Sequence, residues 1–108
     1  MIFSGATNRR ATSEAALQLK VLRYLRLRDD CVVIRVAASS TRGAPDIVCC
    51  VEGKFVAVEL KSGSYNAKLS VNQRFMREDI EKCGGVFLCV RSLNELERWF
   101  ERRELAQS

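Results

Sequence analysis

Apolar positions recur at helical spacing in three segments of this chain, and this pattern predicts three helices. Their predicted limits are about residues 12–28, 71–83 and 92–104. Ser70 and Gln73 form the S-x-x-Q pattern of a capping box, which is typical of the first turn of a helix. Ser92 and Glu95 form another such pattern, S-x-x-E, at the start of the third helix.

Four shorter runs are apolar and rich in β-branched residues, as expected of strands. They cover residues 31–36, 47–51, 54–61 and 86–90. The last run is apolar at every position, and we expect it at the centre of the sheet. The resulting order, α-β-β-β-α-β-α, predicts an α/β fold.

The second and third strands are separated only by Glu52 and Gly53, which predicts a tight β-hairpin. A two-residue loop continues the ladder until Asp46 lies opposite Glu59, with roughly 4.5–5.5 Å between their Cβ atoms. Lys61 lies on the same face as Glu59, because side chains alternate along a strand. A three-residue loop with a bulge would shift this register by one position.

Two carboxylates at this distance repel each other unless a cation lies between them. A divalent metal held by Asp46 and Glu59, with Lys61 beside it, is suited to the hydrolysis of a phosphodiester bond. Each residue also has an ordinary structural explanation. Asp46 follows Pro45 and suits a turn, Glu59 suits a solvent-facing strand position, and Lys61 suits an edge strand.

Glu14 and Gln73 are two further candidates for this site. On a helical projection of the first helix, Glu14 falls inside the apolar arc between Val21 and Leu25, so that its carboxylate points at the core. Such a carboxylate is costly unless it is paired or metal-bound, although the helix dipole also favours a glutamate in a first turn. Gln73 has a structural role in the capping box and can equally reach into the site to orient water or phosphate.

The chain has 108 residues, the length of one domain, which we divide into a flexible basic arm (1–11), a core (12–91) and a C-terminal helix (92–108). Its formal net charge is +5, and 13 of its 18 basic residues are arginine. Arginine suits phosphate recognition, although a modest positive charge is also compatible with an ordinary soluble surface. The sequence contains no histidine, which excludes Ser-His-Asp and Cys-His catalysis and leaves carboxylates, lysine and metal-bound water.

The five cysteines are an odd number and form no C-x-x-C pair. We interpret them as small buried hydrophobic residues in a reducing cytosol, in preference to disulfides or zinc ligands. No run approaches the roughly 20 apolar residues of a membrane span, and the N-terminus lacks the pattern of a signal peptide. We therefore expect a cytoplasmic protein with no membrane partner.

Asp46 followed, after twelve intervening residues, by Glu59-Leu60-Lys61 resembles the PD-(D/E)XK nuclease signature. A wider set of residues is similar to the virus-type replication-repair nuclease (VRR-NUC) family over about residues 13–90. The matching segments are Ser13-Glu14, Gly43-Ala44-Pro45-Asp46, Glu59-Leu60-Lys61-Ser62-Gly63, Gln73 and Gly85-Val86-Phe87-Leu88. Leu60 departs from the valine that is usual in the family, but both residues are apolar.

The resemblance implies a restriction-endonuclease-like core, with a mixed sheet flanked by helices, that uses Mg²⁺ or Mn²⁺. The metal ligands that it implies are Asp46, Glu59, the backbone carbonyl of Leu60 and, as an additional acidic ligand that binds directly or through water, Glu14. It also implies that Lys61 orients or deprotonates the attacking water, with Gln73 beside it.

Small stand-alone members of that family, mostly phage-encoded, are similar to Holliday-junction resolvases and act as homodimers. The resemblance therefore implies a metal-dependent, structure-specific DNA endonuclease that resolves four-way junctions as a homodimer in a bacterial or phage-infected cell. An apolar stripe of Leu96, Trp99 and Phe100 packs on the sheet or forms part of a dimer seam.

We assign DNA contacts to Arg42, Lys68 and Arg74. The alternatives are a nucleic-acid-binding module with weak or no catalysis, and a nuclease that acts on plain duplex or flap DNA.

Overall fold

The computed structural model of the chain describes residues 5–62 and 68–107, with side chains from residue 13 onward in those ranges. Three helices and four strands follow one another in the predicted order, α-β-β-β-α-β-α. They are α1 (Gly5–Arg26), β1 (Cys31–Arg35), β2 (Ile47–Val51), β3 (Lys54–Leu60), α2 (Val71–Lys82), β4 (Val86–Val90) and α3 (Leu93–Gln107). The predicted α/β class is confirmed.

The four strands form one mixed sheet in the order β1-β2-β3-β4. β2 is antiparallel to both β1 and β3, whereas β4 is parallel to β3. The expectation that residues 86–90 form a central strand is wrong, because β4 lies at the edge of the sheet. It is nevertheless apolar throughout because α2 packs on one of its faces and α3 on the other.

The hydrophobic core lies on the face of the sheet that α1 and α3 cover. Ile47 of β2 and Val56 and Val58 of β3 point to this face and are fully buried. Glu59 points to the opposite face, where α2 lies, because successive residues of a strand alternate. One face of the sheet therefore holds the core, and the other holds the candidate chemistry.

The limits of α1 and α3 differ from the predicted ones. α1 begins at Gly5, so residues 5–11 belong to a helix and not to the expected arm, while residues 1–4 lie outside the described ranges. The polar residues of this segment suggest an arm, but they include good helix formers such as Arg9 and Arg10 and no proline. α3 continues to Gln107, three residues beyond its predicted end. Within the described ranges, no helix is both long and apolar enough to cross a membrane.

The apolar stripe of α3 packs on the sheet. Leu96 and Phe100 are each only 1% exposed, and Trp99 packs partly buried against the same core. The rings of Trp99 and Phe100 meet edge to face with their centroids 4.8 Å apart. This stripe is used within the fold and does not form a dimer seam.

The five cysteines are free thiols. Cys49 is buried, and burial raises the pKa of its thiol to about 12. Cys50 and Cys83 are exposed, so the expectation of buried hydrophobic cysteines is wrong for these two residues. Cys50 is exposed because it lies on the α2 side of the sheet, which a single helix does not cover completely.

The hairpin between β2 and β3 has the register that a two-residue loop predicts. Its ladder runs from the pair Val51–Lys54 to the pair Ile47–Val58. Both loop residues have positive φ, 49° at Glu52 and 85° at Gly53, which is the geometry of a turn whose twist matches that of the strands. One residue further along the same ladder, Asp46 lies opposite Glu59.

Gly43 determines how closely the loop before β2 approaches the start of α2. Its φ of +75° is a left-handed conformation that glycine adopts readily. A Cβ atom at this position would lie 2.3 Å from the backbone oxygen of Asn72 in the first turn of α2. The absence of a side chain at Gly43 therefore allows the loop that carries Asp46 to contact the turn that carries Gln73.

We expect Gly43→Ala to lower the free energy of unfolding by clearly more than Gly84→Ala. Both glycines have positive φ, so alanine at either position costs about 1–2 kcal/mol of backbone strain. Only at Gly43 does the added Cβ also meet a backbone atom, since a Cβ at Gly84 has nothing within 4 Å. Urea unfolding of the two variants measures the difference, and equal losses would show that the contact with α2 is unimportant.

Candidate active site

Asp46 is held at the start of β2 by bonds to the chain on both sides of it. Its carbonyl oxygen accepts a hydrogen bond from the N–H of Val36 (2.9 Å), and its Oδ2 atom accepts one from the N–H of Leu60 (2.8 Å). Pro45, which is buried, restricts the backbone that enters this position. The carboxylate is thus fixed against the end of β3.

Glu59 is the one charged residue that is buried among the described residues, with 5% exposure. Its Oε2 atom accepts a hydrogen bond from Nε2 of Gln73 (2.8 Å) and lies 3.9 Å from Nζ of Lys61. Its Oε1 atom is buried and has no hydrogen-bond partner in the described part of the chain. One oxygen is therefore held by the protein, while the other faces a position for which the protein supplies no partner.

The electrostatics of the pair follow from this burial. Burial first, and then the negative charge of Asp46, raise the pKa of Glu59 from 4.5 to about 7. The positive charge of Lys61 acts in the opposite direction but does not overcome them. The two carboxylates thus interact as neighbouring like charges, as the hairpin register predicts, and a cation beside them would relieve the repulsion.

Gln73 makes contacts for both of the roles that its sequence position allows. Its backbone N–H donates to Oγ of Ser70 (3.2 Å), and its Oε1 atom accepts from the N–H of Ser70 (2.8 Å), which completes the predicted capping box. Its Nε2 atom donates to Glu59 at the same time. The residue that caps α2 therefore also orients the buried carboxylate.

Glu14 lies beside the site but not in the core. The expectation that its carboxylate points into the core is wrong, because Glu14 is exposed whereas Leu17 and Val21 are buried. The helical phase is as predicted, but the core does not extend as far as this turn of α1. Glu14 lines a cleft of about 250 Å³ together with Asp46 and Leu60. It therefore borders the acid pair from the side of α1.

The donor set at Asp46 and Glu59 suits a hard divalent cation. Each residue offers one carboxylate oxygen, and Mg²⁺ is commonly held by one or two carboxylates together with waters and substrate phosphate. The buried Oε1 atom of Glu59, which has no partner among the described residues, is the observation that favours such an ion. Across residues 13–62 and 68–107, no three or more His, Cys, Asp or Glu side chains are placed so that they could hold a metal ion. Glu14 is therefore not a direct third ligand in this arrangement.

The residues assigned to DNA contacts line two clefts near the acid pair. Arg42 lines a cleft of about 480 Å³ whose wall also contains Asp46 and Gln73. Lys68 and Arg74 line a second cleft, of about 430 Å³, between α2 and the end of β4. All three basic side chains are exposed to solvent.

Two arginines of the second cleft were not predicted from the sequence as site residues. Arg77 and Arg91 line it together with Arg74. Arg77 lies one helical turn after Arg74, and Arg91 directly follows an apolar strand. These positions could have suggested that Arg77 lies near Arg74 and that Arg91 lies at the end of a strand. Nothing in the sequence indicates that the two arginines share one cleft.

Comparison with solved structures identifies the fold. The chain is similar to a structure described as a VRR_NUC domain, with a TM-score of 0.71 and 22% sequence identity. The match covers 82% of this chain and 95% of that chain. At this level of identity the likeness shows the fold, which is the predicted restriction-endonuclease-like α/β core. None of the curated proteins matches the sequence significantly.

The sequence itself matches a protein family. Residues 9–85 match the family described as archaeal Holliday junction resolvase (Hjc). This segment is more than half of the chain and contains Asp46, Glu59, Lys61 and Gln73. That family and the VRR_NUC domain are both members of the PD-(D/E)XK nuclease superfamily, so the predicted superfamily is confirmed. The chain therefore belongs to the archaeal Holliday junction resolvase (Hjc) family of PD-(D/E)XK nucleases.

Proposed function

We propose that this chain is a metal-dependent, structure-specific DNA endonuclease that resolves four-way junctions. The proposal is supported by the buried pair of Asp46 and Glu59 beside Lys61, in which the Oε1 atom of Glu59 has no partner among the described residues. A divalent cation and a phosphate group are what such an arrangement is suited to receive. Membership of a family named for Holliday junction resolution favours a branched DNA substrate.

The side chains of the site divide the tasks of hydrolysis. Asp46 and Glu59 would hold the cation, and the carbonyl of Leu60 would complete the oxygen atoms that the protein supplies to it. Mg²⁺ or Mn²⁺, when bound, supplies positive charge that polarises a phosphate and lowers the pKa of a water molecule. Lys61, whose Nζ atom lies 3.9 Å from Glu59, orients the attacking water and stabilises the charge that develops on the phosphate.

Gln73, Glu14 and Arg42 support these groups. Gln73 holds the Oε2 atom of Glu59 at 2.8 Å, which leaves the Oε1 atom for the cation. Glu14 borders the same site from α1 and interacts with the cation through water, since it is exposed and is not a direct ligand. Arg42 binds DNA phosphate in the cleft that Asp46 and Gln73 also line.

A DNA-binding module without catalysis is the competing proposal, and the acid pair argues against it. A carboxylate such as Glu59, buried beside Asp46, destabilises the fold and repels phosphate unless a cation is bound. A protein that only binds DNA has no use for such a pair. A nuclease that acts on plain duplex or flap DNA would use the same chemistry, so substrate comparison is needed to distinguish it.

We expect the wild-type protein to nick a four-way junction when Mg²⁺ or Mn²⁺ is present, and Lys61→Ala to lose at least about 100-fold of this activity. Lys54→Ala is the matched control, because Lys54 is exposed at the opposite end of β3. Denaturing gels compare a labelled junction, a flap and a linear duplex of shared sequence. Equal cutting of the three substrates would contradict junction specificity, and full activity of Lys61→Ala would contradict the role of the lysine.

We also propose that the chain acts as a homodimer, through a surface that we call the open sheet face. It is the part of the α2 side of the sheet that α2 leaves uncovered, together with the adjoining flank of α2. Of the eight large hydrophobic residues that are exposed in the described chain, five lie here. They are Val32 and Ile34 on β1, Phe55 on β3, and Val71 and Phe75 on α2.

The shape of the open sheet face suits a second copy of the chain. Asp79 lines a cavity with Phe55, and Phe75 precedes Asp79 by one helical turn, so Phe75 projects from the same flank of α2 as Asp79. The sheet forms a floor and α2 forms a wall. Under two-fold symmetry, the wall of one copy can lie on the floor of the other. The same symmetry supplies two acid pairs for the two strands that a junction resolvase must cut.

We expect wild-type protein to sediment as a dimer at micromolar concentration and Phe75→Asp to sediment as a monomer. The new charge would be buried without a partner in the interface, but it is solvated in the monomer because Phe75 is 59% exposed there. Leu19→Asp is the control, at a 68% exposed position of α1 that lines a separate cleft with Leu27 and Leu93. If the wild-type protein is monomeric and still resolves junctions, the dimer proposal is refuted. If Phe75→Asp remains dimeric, the interface lies elsewhere.

We expect the stability of the metal-free protein to fall as the pH rises from about 4.5 to about 7. The pKa of Glu59 rises from 4.5 to about 7 on folding, so the folded protein holds a proton that the unfolded chain releases across this window. The stabilisation is complete below the unfolded pKa and is lost as the pH passes through the folded one. The difference corresponds to at most about 3 kcal/mol. Urea unfolding at pH 5 and pH 8 measures it.

Glu59→Gln tests this assignment, with Glu78→Gln at an exposed position of α2 as the control. At pH 8 without metal, we expect Glu59→Gln to be more stable than wild type, because the amide is neutral. Mg²⁺ or Mn²⁺ at pH 8 should raise the Tm of wild type and of the control but not of Glu59→Gln. A wild-type pH profile or a wild-type metal shift in Glu59→Gln would refute the role of this carboxylate.

A further inference from the structure

A basic cleft of about 430 Å³ lies between α2 and the end of β4, and nothing in the acid pair requires it. Four of the six residues that line it are cationic. The lining residues are Lys68, Leu69, Arg74, Arg77, Cys89 and Arg91. The flank of α2 that faces this cleft is therefore basic, whereas another flank carries the exposed Val71 and Phe75.

The cleft adjoins the acid pair directly. Cys89, which lines it, is the neighbour of Glu59 in the parallel ladder between β3 and β4, and adjacent strands lie about 4.8 Å apart. Arg91 follows Val90, whose carbonyl oxygen accepts the N–H of Lys61 (3.0 Å). Positive charge therefore extends from Lys61 into the cleft across the ends of two neighbouring strands.

Glu81 pairs with one of the cationic residues that line the cleft. Arg77 forms an ion pair with Glu81 at 3.5 Å, and both side chains are about half exposed, so solvent screens the pair and a phosphate can compete for the arginine. Glu95 accepts a hydrogen bond from the backbone N–H of Arg91. The cleft thus remains a concentration of positive charge on one side of the site.

We infer that this cleft binds the sugar–phosphate backbone of the DNA strand next to the scissile phosphate. The inference rests on the proposed endonuclease function and adds the path of the strand. Guanidinium groups bind phosphate oxygens in a bidentate manner, and Arg74 and Arg77 present two of them from successive turns of one helix. The strand passes from the acid pair into the cleft and along the basic flank of α2.

The test compares Arg74→Gln/Arg77→Gln on α2 with Arg98→Gln/Arg102→Gln on α3. Each double variant removes two exposed arginines from one helix, so the net charge of the two proteins is the same. The α3 pair lies on the helix that covers the other face of the sheet. Binding of a fluorescein-labelled four-way junction is measured by anisotropy in EDTA at a series of KCl concentrations.

We expect the α2 variant to bind about tenfold more weakly and its slope of log K against log salt to fall by about 2, since each lost phosphate contact removes roughly 0.9. The α3 variant should keep the wild-type slope. If the α2 double variant fails to fold, Arg77→Gln alone should lower the slope by about 1. Equal effects of the two double variants, or weaker binding with an unchanged slope, would overturn the inference. This binding assay is independent of catalysis, because EDTA removes the metal that cleavage requires. A protein that fails to nick junctions in the presence of metal would therefore refute the endonuclease proposal, whereas the binding result would still test the path of the strand.

Discussion

The site depends on one carboxylate, Glu59, that is buried directly beside another. Three parts of the chain converge on it: the end of its own strand supplies Lys61, α2 supplies Gln73, and the start of β2 supplies Asp46. The backbone N–H of Leu60 fixes the position of Asp46, so the repulsion between the acids is not relieved by movement of the side chain. The raised pKa of Glu59 shows that Lys61 does not fully compensate for the burial of this carboxylate and for the negative charge of Asp46. The rest of the fold holds these two carboxylates close together.

α2 connects the acid pair to both proposed binding surfaces. It has no buried residue, so it contributes little to the core, yet each of its sides has a distinct character. The side toward β3 carries Gln73, one flank carries Arg74 and Arg77, and the other carries Phe75. A helix of 12 residues thus connects the acid pair to the proposed DNA-binding cleft on one side and to the proposed dimer interface on the other. Movement of this helix would affect all three together.

Local chemistry made much of the fold predictable from sequence. The Glu52-Gly53 loop determines the hairpin register, and the register places Asp46 opposite Glu59 without any knowledge of the other strands. The capping box of Ser70 and Gln73 is equally local and starts α2 where it was expected. These features depend on residues that lie within a few positions of one another.

Other features depend on packing between distant segments and were not predictable in the same way. The periodicity of α1 predicts the direction in which Glu14 points but not how far the core extends along the helix. The predicted burial of Glu14 was therefore wrong. The apolar run of β4 predicted a central strand, but a run of apolar residues does not distinguish a central strand from an edge strand that helices cover on both faces. Arg77 and Arg91 share a cleft only because α2 crosses the sheet beside β4.

The two contacts of the Gln73 amide restrict what can replace it. The oxygen of this amide satisfies the first turn of a helix while its nitrogen satisfies a buried acid, so a substitute needs an acceptor and a donor on one side chain of the same reach. Asparagine has both groups but is one methylene shorter, and glutamate has the length but, when ionised, lacks the donor. Loss of activity after substitution at this position therefore has two separable origins, a displaced helix and a misoriented carboxylate. Kinetics alone would not distinguish them, whereas the position of the helix and the ionisation of the acid can be observed independently.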